Sequence, residues 1–363
     1  MRQGGFGKWC GAVAVGLLLA GGCGAPPEDD TSPDTDTHQR SSPGSVSAVL
    51  VVNRTTFVAS EDVTVSVTLI NTSTRPVRLL QWKTPGTGHK EDRLQVTRDG
   101  QPAEYIGAHY KRPAPTAEDF VTLAPGERLT GDVVVSEDYD LTTTGTYTFR
   151  YLLDPQRDGE LAGFASNAVS LFIEGRKSRR EEEATRREPF ASALTYEGCS
   201  QEQQHAVSDA VRNGQDYASA AYSYLGTHKT PALSTRYLTL FGLYSPGNWT
   251  RATNHFLKIR DAFQTQAISV NCACDNSAYA YVYKNQPYTI HVCKAFWPAP
   301  ATGQDSKAGT LLHEMSHFTV VADTHDHAYG RVRVLAMALT NPLLALTNAD
   351  TLEYFAENQP FLP

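Results

Sequence analysis

The chain changes its hydrophobic rhythm near the middle. Between positions 46 and 174 the apolar residues come in short runs at 49–52, 63–70, 77–82, 94–96, 132–136, 146–153 and 168–173. These runs are rich in Val, Thr, Leu and Tyr, several alternate apolar with polar positions, and turn residues such as Asp99-Gly100, Pro125-Gly126 and Gly145 part them. About seven short strands over some 130 residues predict an all-β immunoglobulin-like sandwich, here without a cysteine pair. Such an architecture assigns no function by itself.

From position 193 to the end the spacing turns helical, over 201–225, 235–243 and 254–267, the last carrying Phe256, Leu257, Ile259 and Phe263. Two strands, 279–283 and 288–292, follow, joined at Lys284-Asn285-Gln286-Pro287. Another helix comes next. Asp305 or Ser306 can cap it, and Ala308, Leu311, Leu312 and Met315 form one apolar stripe. On its opposite side lie His313 and His317. The second half is therefore a mainly α, α+β domain.

The flanking segments have no such rhythm. Residues 1–23 open on Arg2 and Lys8 and continue in an apolar, glycine-rich stretch, 10–22, shorter than the about 20 residues that span a bilayer. This is the pattern of a signal peptide. Its end, Leu19-Ala20-Gly21-Gly22-Cys23, resembles a bacterial lipobox, with Ala20 where leucine is usual and Cys23 as the lipid-bearing residue. The expectation is export from a bacterial cell, as a secreted protein or a membrane-anchored lipoprotein. Residues 24–45, rich in Pro, Ser, Thr and Asp, read as a disordered tether. Residues 175–192 hold a charged run from Arg176 to Glu183 and again at Arg186-Arg187-Glu188, which reads as an interdomain linker open to proteolysis.

Composition narrows the classes. A chain of 363 residues accommodates two domains, and a net charge of -7 without a basic region argues against a nucleic-acid partner. Of six cysteines, Cys10 leaves with the signal and Cys23 is claimed by the lipid, leaving Cys199, Cys272, Cys274 and Cys293. An even number in an exported chain favours disulfides, with three pairings open. Adjacent Cys272 and Cys274 are a poor pair.

The chemistry concentrates in Gly309–Gly330, GTLLHEMSHFTVVADTHDHAYG. His313 and His317, one helical turn apart, can reach one ion, with Glu314 placed to act on a water. A catalytic zinc site commonly takes a third protein ligand and keeps a fourth position for water. Asp323 and Asp326 both follow at a usable distance.

These residues resemble the deuterolysin or aspzincin family of zinc endopeptidases, whose pattern is HExxH followed by G-T-x-D-x-x-Y-G. Thr324, Asp326, Tyr329 and Gly330 match; Asp323 stands where the family has glycine. Further stretches are similar to the peptidyl-Lys metalloendopeptidase branch: Thr195 to Ser200, Ala280 to Tyr283, Ala295-Phe296-Trp297, Thr302 to Ser306, Asn348-Ala349-Asp350 and Glu353-Tyr354-Phe355. The resemblance covers about 195–360 and leaves the sandwich aside. It implies a zincin-type metallopeptidase domain holding one zinc ion on His313, His317 and Asp326. It also implies Glu314 as general base, Tyr329 as hydrogen-bond donor to the developing oxyanion, and the pairs Cys199–Cys272 and Cys274–Cys293. Asp350 and Glu353 would line the pocket for a lysine side chain just after the scissile bond, so that lysine-containing proteins or peptides are the substrates.

A folded domain ahead of an exported protease suggests a zymogen, with the sandwich as intramolecular inhibitor and a self-cleavage point just before Lys177. Lys111, in the loop-like Tyr110-Lys111-Arg112-Pro113, could occupy the lysine pocket before activation. The rival readings are a broad-specificity aspzincin protease and a surface binding lipoprotein with a non-catalytic metal site.

Overall fold

The computed structural model describes residues 45–86, 91–153, 163–179 and 194–363. The signal segment, Cys23, nearly all of the tether and most of the charged linker lie outside these.

The N-terminal region is β-rich. Its strands are β1 (Val46–Val51), β2 (Thr56–Phe57), β3 (Thr64–Asn71), β4 (Val77–Leu80), β5 (Leu94–Arg98), β6 (Gln101–Pro102), β7 (Ala108–Lys111), β8 (Phe120–Leu123), β9 (Arg128–Val134), β10 (Gly145–Leu153) and β11 (Phe164–Ile173). A three-stranded sheet runs β1-β3-β9, a five-stranded sheet β2-β11-β10-β5-β6, and β4 pairs with β8. Alternation explains the packing: in β3 every second residue is buried, Val65, Val67 and Leu69 completely. These side chains share one apolar core with Val96, Tyr147, Phe149 and Leu171 of the other sheet. The chain beyond β11 stays bound to this region through 179. Gly175 donates to Thr144 Oγ1 and Arg176 to Leu141 O, and Arg179 lies 3.3 Å from Glu137. Residues 175–179, the described start of the charged stretch, are thus held against the β-rich region.

The C-terminal region is helical around a small sheet. Its elements are β12 (Thr195–Glu197), α1 (Gln201–Thr227), α2 (Thr235–Phe241), α3 (Pro246–Thr265), β13 (Ser269–Asn271), β14 (Ala280–Tyr283), β15 (Thr289–Val292), α4 (Lys307–His317), α5 (Arg331–Thr340), α6 (Pro342–Ala345) and α7 (Ala349–Glu357). Ser200 and Gln203 form a reciprocal capping box on α1, and Ser245 with Pro246 at the first helical position starts α3. Val207, Ala210, Ala218, Ala221 and Leu225 of α1 pack in one core with Phe256 and Ile259 of α3 and Leu311, Leu312 and Met315 of α4. The disulfides are Cys199–Cys272 and Cys274–Cys293, joining the start of α1 to the end of β13 and clamping the β14–β15 hairpin.

One expectation is overturned. Tyr110-Lys111 is not a loop: β7 leaves the β-rich region and becomes the last strand of the C-terminal sheet, in the order β12-β13-β15-β14-β7. It pairs antiparallel with β14, Tyr281 opposite Tyr110 and Ala280 opposite Lys111. The two halves of the chain thus share a continuous sheet.

Candidate active site

Helix α4 carries the site. Ser306 supplies its cap, its Oγ accepting from Gly309 N–H at 2.9 Å, while Glu357 of α7 accepts from Ser306 N–H and Oγ–H. Gly309 is needed at this crossing, because a Cβ there would sit 2.0 Å from Glu357 Oε1. The apolar stripe faces the core, and β7 covers the opposite side, so His313, Glu314 and His317 are all fully buried.

After α4 the chain turns back and brings Asp326 to the two imidazoles. Asp326 Oδ1 lies 3.2 Å from His313 Nε2, and Oδ2 lies 3.5 Å from His317 Nε2. Asn348 clamps this loop: its Oδ1 accepts from the His327 and Ala328 N–H groups, both at 2.9 Å. Asp323, the departure from the family pattern, sits at φ 50, in the left-handed region where glycine is usual and aspartate is tolerated. Its carboxylate turns outward to Lys284 Nζ at 2.7 Å. Lys284 also reaches Glu104 of the β-rich region at 2.9 Å.

The three donor groups fit a metal. Nε2 of both histidines and Oδ1 of Asp326 are buried without a hydrogen-bond partner, which is costly unless a cation binds them. The two Asp326 oxygens, Oδ1 at 3.2 Å from His313 Nε2 and Oδ2 at 3.5 Å from His317 Nε2, lie near the roughly 3.3 Å expected between neighbouring donors around a tetrahedral zinc. Of the other ring nitrogens, His317 Nδ1 is hydrogen-bonded to Thr324 O at 3.0 Å, and His313 Nδ1 faces the acids Asp350 at 2.9 Å and Glu353 at 3.3 Å as an ion pair outside hydrogen-bonding alignment. Held this way, both rings present Nε2 to the Asp326 carboxylate.

Burial shapes the charges. It pulls His317 down to about 4, and it also opposes protonation of His313, but Asp326, Asp350 and Glu353 together carry that imidazole well above its usual range. Asp326, despite burial, is held well below the ordinary carboxylate range by His317 and His313. Burial pushes Glu314 up to about 8, against the pull of His313. The Lys111 amide also opposes this rise, from just outside hydrogen-bonding geometry. Tyr329 is raised well above the ordinary phenol, first by burial and then by Asp326, so it stays protonated.

β7 crosses this site as a peptide would. Tyr329 Oη donates to the carbonyl of Tyr110 at 3.0 Å. The same peptide bond directs its Lys111 nitrogen toward Glu314. The Lys111 side chain, 1% exposed, ends 2.5 Å from Glu353 Oε2 and 3.6 Å from both Asp350 and Asp305. Tyr279 and Tyr354 wall its ammonium.

Of the residues singled out in the sequence, the structure brings together His313, Glu314, His317, Asp326, Tyr329, Asp350 and Glu353, and adds Lys111 to them. Lys177 is not among them; it is exposed beside Arg176, which pairs with Asp62. Cys23 lies outside the described residues. Sequence reasoning missed three features: Asp305 as a third acid near the lysine, the contact of Asp350 with His313, and His109, whose ring stacks on His317 at 4.9 Å. Asp305 was visible as a possible cap and within the Thr302–Ser306 stretch, without a role at the pocket, and nothing in the sequence linked His109 to α4.

A family model described as lysine-specific metallo-endopeptidase matches residues 226–357. The chain is 41% identical over 315 residues to an extracellular protease of Aeromonas hydrophila, covering 83% of this chain and 90% of that protein. It is 36% identical over 251 residues to a peptidyl-Lys metalloendopeptidase of Armillaria mellea, 66% of this chain and 69% of that one. A solved zinc peptidase from Grifola frondosa, 40% identical, matches over 46% of this chain and all of its own, with a TM-score of 0.44.

Proposed function

The chain belongs to the aspzincin family of zinc metalloendopeptidases, and we propose that it cuts peptide bonds on the amino side of lysine and is made as a zymogen. Peptides are its substrates and Zn2+ its cofactor. The observation that carries the finer reading is Lys111 itself, buried among three acids next to a Tyr110 carbonyl that accepts from Tyr329.

His313, His317 and Asp326 would hold the ion, which when bound supplies Lewis acidity to the scissile carbonyl and the attacking water. The remaining steps belong to the chain. Glu314, with an affinity for protons near neutrality, takes one from the water and delivers it to the leaving lysine nitrogen. Tyr329 donates to the carbonyl oxygen as charge builds there. Asp350 and Glu353, joined by Asp305, receive the ammonium, and Asp350 also orients His313. A neutral or acidic side chain in that pocket would leave buried carboxylates uncompensated, which is the source of discrimination.

The β-rich region, read as an immunoglobulin-like sandwich, acts as the inhibitor, because β7 fills the cleft that a substrate needs. While Lys111 holds the pocket, cleavage before exposed Lys177 must come from another, already open molecule. The targeting segment and Cys23 fit an exported protein tethered or released outside the cell, and an extracellular relative supports export. Digestion of a peptide library by the processed enzyme, with and without a chelator, tests the reading. Chelator-sensitive cuts before lysine are expected. Cuts without lysine bias would mark a broad-specificity protease, and no chelator-sensitive cutting would favour a binding lipoprotein.

A further inference from the structure

β7 lies in the register of a substrate, yet it serves as an inhibitor. Its alternation suggests why. His109 and Lys111, two apart, share one face of the strand, while Ala108 and Tyr110 turn the other way, onto the Cys274–Cys293 disulfide and Tyr281. Lys111 enters the acid pocket. His109, 8% exposed, enters the metal centre.

His109 is placed as a ligand would be. Its Nδ1 lies 4.0 Å from Asp326 Oδ2, and its ring stacks on that of His317 with 29° between the planes. Donor atoms of His109, His317 and Asp326 all fall within 4.8 Å of one another. Nε2 of His109 is buried and has no hydrogen-bond partner. A buried imidazole with Nδ1 beside the Asp326 carboxylate and Nε2 without a protein partner suits a cation at this point.

We propose that His109 is the fourth zinc ligand of the uncleaved chain, occupying the position a catalytic site keeps for water, and that this keeps the Tyr110–Lys111 bond intact. This rests on the metal-centre reading above. With His109 in that position the attacking water has no place, although Tyr329 and the lysine pocket are engaged. Without it, hydrolysis balances simply: water's OH goes to the Tyr110 carbonyl carbon, its proton to the Lys111 nitrogen, and the bond between them breaks. Removal of β7 during processing would vacate the fourth position and the lysine pocket together.

X-ray absorption on the zinc-loaded precursor decides the matter, because imidazole ligands are countable by their multiple scattering. Glu314→Gln in the full-length chain prevents any cleavage. In that background three imidazoles are expected, and two after His109→Ala or His109→Gln. Two imidazoles in the Glu314→Gln parent would overturn the proposal while leaving the metal centre standing; a parent that retains no zinc would overturn both. In the chain with Glu314 intact, mass spectrometry of His109→Ala and His109→Gln precursors should find a new N-terminus at Lys111, a bond the parent keeps. Intact 110–111 bonds in folded, zinc-loaded His109 variants would defeat the claim that this ligand enforces latency. The count in the parent stands alone, so a variant that fails to fold does not shelter the proposal.

Discussion

Lys111 Nζ and Glu353 Oε2, 242 positions apart in sequence, meet at 2.5 Å in a pocket closed to solvent. One comes from the β-rich region and the other from α7. A buried pair of this kind holds its partners together chiefly because breaking it strands a charge.

Lys111→Ala should therefore weaken latency. It leaves Asp350 and Glu353 facing each other with no ammonium, which disfavours the docked strand by roughly 3 kcal/mol. The expected outcome is hydrolysis of a lysyl peptide by the uncleaved precursor, at a rate at least about tenfold above the parent. Initial rates measured before any change in mass check this. A precursor as silent as the parent would remove Lys111 from the inhibitory contact.

Glu314→Gln and Tyr329→Phe separate two roles. The first should abolish turnover of the processed enzyme yet leave zinc content unchanged. The second should lower kcat about 100-fold with little change in KM, since the phenol acts on charge that appears only in the transition state. Metal analysis beside steady-state kinetics distinguishes these outcomes from loss of the ion.

Asp350→Asn and Glu353→Gln should also differ. Both reduce kcat/KM for lysyl peptides by about tenfold or more, as each removes a charge-assisted contact to the ammonium. Both acids approach His313 Nδ1, Asp350 at 2.9 Å and Glu353 at 3.3 Å, but only Asp350 is also bonded to the metal loop, accepting from Gly330 N–H at 2.7 Å. Asp350→Asn should therefore cost a further about tenfold in zinc affinity. Competition with a chromogenic chelator measures the difference.

The precursor should open in acid. Burial raises the Asp350 carboxyl, but Lys111 and His313 outweigh it and hold it below its ordinary 3.8. A depressed carboxylate stabilises the docked state fully above that value and loses the contribution as pH falls through the lower one. Lys111 is shifted the other way: burial opposes its charge, yet Asp350 and Glu353 carry it well above 10.5, so its share is lost only on the alkaline side. Brief exposure to about pH 3, but not pH 5, should expose the β7–β14 junction to an added acid protease. Equal nicking at both values would remove the ion pairs as the cause.

The chemistry was more legible in the sequence than the inhibition. His313, Glu314 and His317 announce themselves because a helix fixes their spacing, and Asp326 and Tyr329 follow within one short loop. Ala108-His109-Tyr110-Lys111 gave no strand signal. Both faces of β7 are buried, one against a disulfide and an aromatic ring, the other against charged groups, so no apolar alternation marks it. Its partner β14 is also about 170 positions away, beyond the reach of local patterning. Asp323 looked like a flaw in the turn. At φ 50, it keeps the backbone conformation a glycine would take and pairs with Lys284, the lysine that also reaches Glu104 of the β-rich region.

Once β7 is gone, β14 is left as a sheet edge with its hydrogen-bonding groups open along Ala280–Tyr283. Whatever replaces β7 has to run extended beside it, in the same antiparallel sense. A lysine inside a helix cannot do so however exposed its ammonium is. On the proposed reading the protease would select backbone shape as well as charge, and folded proteins should be cut first at lysines in frayed termini, loops and detachable edge strands.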